Sequence, residues 1–122
     1  MGILDWFKGG PAVHPTAITS LPEFQDQVKN TDLPVILEVW SDTCPPCRKM
    51  IPVLDAVATR YADKVRVVTV GSNAEMALLR TLRVRATPTL VIYDAGEEIG
   101  RMTGFRPEGW FHQMIKAEFP DI

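Results

Sequence analysis

The sequence predicts an α/β domain in which one mixed central β-sheet is flanked by helices on both faces. Three observations predict it. Val35 to Trp40 is an apolar run broken only by Glu38, the pattern of a strand buried on both sides. A helical periodicity follows from Cys44 to Ala62, in which Met50, Val53, Leu54, Val57, Ala58 and Tyr61 recur on one face, and a second apolar run, Val65 to Val70, comes after it. With the helix as a crossover, these two strands are parallel. Pro88 to Asp94 and Glu98 to Gly104 are then separated by the turn Asp94-Ala95-Gly96-Glu97, so a hairpin completes the sheet.

The remaining elements fit around this frame. Residues 1–11 read as an N-terminal arm or short helix, with Ile3, Leu4, Trp6 and Phe7 apolar and Gly9-Gly10-Pro11 closing it; residues 12–122 are the domain. Ala12 to Ile18 reads as an edge strand, because only an edge readily tolerates Pro15. Ser20 with Glu23 forms a capping box that opens a helix to about Lys29, with Phe24 and Val28 inward. In the long helix, Pro45 and Pro46 occupy the first turn, where a missing N–H costs no hydrogen bond, and Pro52 falls inside, where it should kink the helix. Ser72 with Glu75 reads as a second capping box, opening a helix to about Leu82. Pro107 opens a last helix with Trp110, Phe111, Met114 and Ile115 on one face.

Composition sets limits. A chain of 122 residues with 46% hydrophobic and 23% charged residues is an ordinary globular domain. A formal net charge of −2 gives no reason to expect nucleic acid as a partner. No apolar run approaches the ~20 residues of a membrane span. Asp5 and Lys8 interrupt any signal-peptide core, so the expected location is cytoplasmic.

The chemistry lies in Cys44-Pro45-Pro46-Cys47, which contains the only two cysteines. Their spacing puts two sulfurs one helical turn apart, at a strand-to-helix junction. A thiolate is the reactive form of cysteine, and a helix N-terminus favours it through unpaired amide donors and the positive end of the helix dipole. Cys44, at the cap, is therefore the expected nucleophile and Cys47 the resolving thiol. The two prolines stiffen the ring, and Pro45 removes an amide donor. Glu38, a carboxyl in a central strand, should be desolvated and hold its proton to a higher pH than usual, which suits a proton shuttle to or from Cys47; the alternative is a side chain that snorkels to solvent or bonds a backbone amide.

The run from Ile36 to Pro52 resembles the active-site strand, loop and helix of the thioredoxin family. Trp40 precedes the first cysteine and Pro52 follows it at that family's spacings. Ala86-Thr87-Pro88-Thr89-Leu90 matches the family's cis-proline segment, and Gly96 and Gly104 fall where thioredoxins carry glycine. The resemblance runs from about Ala12 to Phe119. It implies the thioredoxin fold and reduction of protein disulfides through Cys44 and Cys47. It also implies a cis bond before Pro88, and a substrate groove formed by Ala86, Thr87, Pro88 and Gly104. No bound cofactor is implied; the partners are protein disulfides and an external reductant such as a thioredoxin reductase, and the chain is expected to act as a monomer. Trp40 is expected to pack beneath the site. Glu38 stands in place of the family's buried aspartate, Thr69 in place of a lysine near that acid, and Thr43 in place of a second tryptophan beside the first cysteine.

Three other readings compete. The same fold serves oxidants and isomerases, a dithiol can sense redox state without turnover, and CxxC is half of a zinc site. The last lacks a second CxxC, and His14 and His112 lack paired spacing.

Overall fold

A computed structural model describes residues 12–122. The arm expected at residues 1–11 lies outside the described residues. Five strands and four helices follow one another in the predicted order. They are β1 (Thr16–Ala17), α1 (Leu21–Phe24, continued by a π-helical turn over Gln25–Lys29), β2 (Val35–Trp40), α2 (Pro45–Arg60), β3 (Arg66–Gly71), α3 (Met76–Leu82), β4 (Thr89–Asp94), β5 (Glu97–Thr103) and α4 (Glu108–Glu118). The sheet order is β1-β3-β2-β4-β5. β1, β2 and β3 are parallel, whereas β4 pairs antiparallel with both β2 and β5.

Alternation along the strands divides the core between two layers. Val35, Leu37 and Val39 of β2, Val68 and Val70 of β3, and Val91 and Tyr93 of β4 pack with Phe24, Val28, Leu78 and Leu82 from α1 and α3. Ile36, Val67, Leu90 and Ile92 point the other way and pack with Met50, Leu54, Val57, Phe111 and Ile115 from α2 and α4. Glu38 shares the parity of Ile36, so it belongs to the α2 face. The two helices of that face are also tied by polar groups: the Tyr61 hydroxyl meets His112 Nδ1 at 2.9 Å, and His112 Nε2 meets Glu108 Oε2 at 2.8 Å.

Two expectations need correction. The edge strand spans only Thr16–Ala17 rather than Ala12 to Ile18. Pro15 has no N–H to give the sheet, and the backbone before it is held by α2 instead, with Val13 N–H donating to Thr59 Oγ1 at 2.9 Å and Thr59 Oγ1 donating to Val13 C=O at 3.0 Å. Ser72 and Glu75 form no capping box. Residues 72–75 are a turn, closed by Ala74 N–H to Gly71 C=O, and Glu75 caps α3 without a side-chain bond while its N–H donates to Thr19 C=O. The box at Ser20 does form its N-cap bond: Ser20 Oγ accepts from Glu23 N–H at 3.3 Å, and the Glu23 carboxylate reaches back to Thr19 N–H at 3.0 Å.

The hairpin turn needs its glycine. Ala95 and Gly96 both have positive φ, 48° and 83°, as a two-residue hairpin loop requires. A Cβ on Gly96 would also collide with the Lys29 carbonyl, where the hairpin tip meets the end of the π turn. Gly96→Ala is therefore expected to lower stability by about 1–3 kcal/mol in urea unfolding. Gly100→Ala serves as the control, because a Cβ there meets nothing within 4 Å; equal losses for the two variants would contradict this packing.

Candidate functional site

β2 ends at Trp40 and the chain turns through Ser41-Asp42-Thr43 into α2. Thr43 N–H donates to Ser41 Oγ at 3.3 Å, and the Thr43 and Ser41 hydroxyls lie 3.2 Å apart, which fixes the turn. Cys44 is the N-cap of α2, in extended conformation. Pro45 and Pro46 fill the first two helical positions, and neither has an N–H. The Cys47 amide is therefore the first that α2 can offer. It donates to Cys44 Sγ at 3.2 Å and lies 3.0 Å from Cys44 C=O. Pro45 and Pro46 each remove a donor, so the helix terminus concentrates on one bond.

Cys44 and Cys47 form a disulfide, with Cα atoms 5.2 Å apart. Cys44 is 6% exposed and Cys47 3%. The Thr87–Pro88 bond is cis, and Gly104 N–H donates to Pro88 C=O at 2.8 Å. Register brings these parts to one end of the sheet. Val39 pairs with Thr89, and Thr89 with Thr103, so the end of β2, the start of β4 and the end of β5 lie side by side. Ala86 is exposed, Thr87 and Gly104 half-buried and Pro88 buried. Gly104 has φ +103°, a conformation other residues rarely adopt.

Glu38 lies beneath this end on the α2 face, 3% exposed, with Thr69 and Leu90 as its neighbours in register. Its Oε2 is buried without a hydrogen-bond partner among the described residues. Burial pushes its pKa from the ordinary 4.5 up to about 7. Glu38 and Cys47 both line a cavity of about 650 Å³ whose walls include Trp40, Leu54 and Thr69 and whose rim carries His14 and Asp55. Trp40 can lie in this wall because its register partner is Gly71, where a Cβ would stand 2.9 Å from the indole ring. Sequence reasoning missed Gly71, although a glycine closing a strand is a signal of close approach. It also missed the cavity and its rim, which follow from packing between β3 and α2.

The Arg48 guanidinium donates to Asp42 C=O at 3.1 Å, bracing the turn into α2. Arg101 pairs with Glu98 and donates to the Leu82 carbonyl at 3.0 Å. His14 pairs with Asp55 and His112 with Glu108, and among the described residues no group of three His, Cys, Asp or Glu side chains could hold a metal ion. No helix of the described residues is long and apolar enough to cross a membrane.

The pKa of Glu38 makes stability depend on pH. Below pH 4.5 the carboxyl is protonated whether the chain is folded or unfolded. Between the ordinary 4.5 and about 7 the folded protein keeps a proton that the unfolded chain releases. Stability therefore falls as pH rises through that window, by on the order of 3 kcal/mol, and stays low above it. Urea unfolding of the oxidised protein across this range is expected to show a fall that Glu38→Gln removes, with the variant the more stable at about pH 8. Parallel profiles for the two proteins would contradict the burial of an unpartnered carboxyl.

Comparison with known proteins agrees with this geometry. The family model "Thioredoxin" matches residues 15–117. The chain is similar to thioredoxin of Porphyra purpurea, 34% identical over 70% of this chain and 79% of that protein. It is also similar to thioredoxin of Haemophilus influenzae, 33% identical over 70% of this chain and 80% of that one. Its fold resembles the solved structure of Malassezia sympodialis thioredoxin, with a TM-score of 0.75 at 24% identity, covering 88% of this chain and 91% of that one.

Proposed function

Because this chain belongs to the thioredoxin family and is a thioredoxin-type thiol–disulfide oxidoreductase, a protein-disulfide reductase, we propose that Cys44 is its attacking thiol and Cys47 its resolving thiol. The observation that carries this reading is the single bond from the Cys47 amide to Cys44 Sγ at the cap of α2. A donor and a positive dipole end favour a negative sulfur at that position.

In the reduced protein, the Cys44 thiolate attacks one sulfur of a substrate disulfide. A Cys44–substrate disulfide forms, and the other substrate sulfur leaves as a thiolate and takes up a proton. Cys47 then loses its proton to the Glu38 carboxylate, reached through the shared cavity, and attacks the Cys44 sulfur. The Cys44–Cys47 disulfide closes, and the second substrate sulfur leaves as a thiolate that is protonated. Two electrons pass from the dithiol to the substrate, and an external reductant of the thioredoxin reductase kind returns them. A pKa near neutrality lets Glu38 exist in both forms at working pH, which a general base for a thiol requires. Ala86, Thr87, Pro88 and Gly104 form the groove in which an extended substrate segment lies beside the disulfide. Trp40, Pro45 and Pro46 support the site by packing and stiffness. The catalytic unit in this reading is residues 12–122 acting as a monomer, with residues 1–11 an appended arm, in a reducing compartment such as the cytoplasm.

In an insulin disulfide reduction assay with excess reducing partner, Cys44→Ser is expected to abolish turnover. Cys47→Ser is expected to stop after one event and to accumulate a mixed disulfide visible by mass spectrometry. A mixed disulfide on Cys47 in the Cys44→Ser variant, at the rate of the wild type, would reverse the assignment.

A further inference from the structure

The two flanks of the groove carry side chains of very different apolar size. Beside Cys44, the exposed Thr43 has its hydroxyl 3.2 Å from that of Ser41 and offers only one methyl as apolar surface. Across the cis-proline segment, Gly104 N–H is bonded to Pro88 C=O, and the next residue is Phe105, 38% exposed. The loop that carries Phe105 is braced. Arg106 donates to the Phe105 carbonyl at 2.9 Å while its guanidinium sits 5.7 Å from the centroid of the Trp110 ring. A large side chain on a braced loop loses little freedom when it is covered, which favours binding.

Charge adds a second bias. Arg85 directly precedes Ala86-Thr87 and Arg106 directly follows Phe105, while Arg48 follows Cys47 in the first turns of α2; the loops 41–44, 83–88 and 104–107 hold Asp42 as their one acid. The chain as a whole carries −2, so this end is locally cationic on an anionic protein.

We propose that Phe105 is the specificity-determining residue of this reductase, seating an apolar side chain next to the attacked cysteine of an extended, acidic protein segment. The proposal rests on the reading of the dithiol above and names its substrate class. The aromatic contact that Thr43 does not provide beside Cys44 is supplied instead from the loop between β5 and α4, on the opposite side of the groove.

The test uses disulfide-linked peptides that differ only in the residue beside the attacked cysteine, Leu or Ser, each flanked by Glu or by Lys. Wild type is expected to favour Leu over Ser by about tenfold in kcat/KM, the scale of one modest apolar contact. Phe105→Ala should reduce that ratio to below about threefold, Phe105→Leu should retain most of it, and Ile99→Ala, an exposed apolar change nearer the far end of β5, should leave it intact. The Glu-flanked peptides should be preferred at low salt, and the preference should shrink as salt screens it. A Leu-to-Ser ratio near one in wild type, or one that Phe105→Ala does not move, overturns the proposal while turnover itself leaves the dithiol reading standing. A preference for Lys flanks overturns its acidic half. Failure of wild type to reduce any of the peptides would overturn both.

Discussion

The Cys47 amide, 3.2 Å from the Cys44 sulfur, is the contact on which the chemistry of this molecule depends. Two prolines have stripped the first turn of α2 of its other donors, so the terminus of a sixteen-residue helix acts on one sulfur through one N–H. The position of that sulfur is set by β2, which must end at Trp40 for the Ser41–Thr43 turn to deliver Cys44 to the cap. β2 in turn is held by strands on both sides and core layers on both faces. The asymmetry between the cysteines follows: one caps the helix and the other lies within its first turn.

The same sheet explains why an expensive group is kept in the core. Glu38 alternates onto the α2 face and finds Thr69 and Leu90 beside it, with no hydrogen-bond donor for Oε2 among the described residues. An ionised carboxylate is poorly tolerated there, and the consequence is a carboxyl that releases its proton near neutral pH. A group of that kind weakens the fold above its pKa and gives a proton acceptor where one is useful, beside the cavity that Cys47 also lines. Stability and function pull on this residue in opposite directions.

Much of this was legible in the sequence because the signals were local. The order of elements follows from periodicity and from turn chemistry at Asp94–Glu97, and the cis-proline and glycine positions follow from family resemblance. The failures share a cause. Ser72 and Glu75 have the right residues for a capping box, but the turn after Gly71 and the contact with Thr19 claim the backbone there. Residues 12–14 look like strand but are bound by a threonine of α2 distant in sequence. Gly71 beneath Trp40, the cavity over Glu38 and the bracing of Phe105 by Arg106 all arise where elements far apart in the chain meet, and no local pattern encodes them.

The most direct measurement is the titration of the two thiols in the reduced protein, followed by thiolate absorbance in the wild type and in the Cys47→Ser variant. An unperturbed cysteine titrates near pH ~8.5. Cys44 is expected to ionise below that value and before Cys47, because the helix terminus acts on its sulfur alone. A Cys44 pKa at or above the unperturbed value, or a Cys47 that ionises first, would contradict the central role given to the N-terminus of α2.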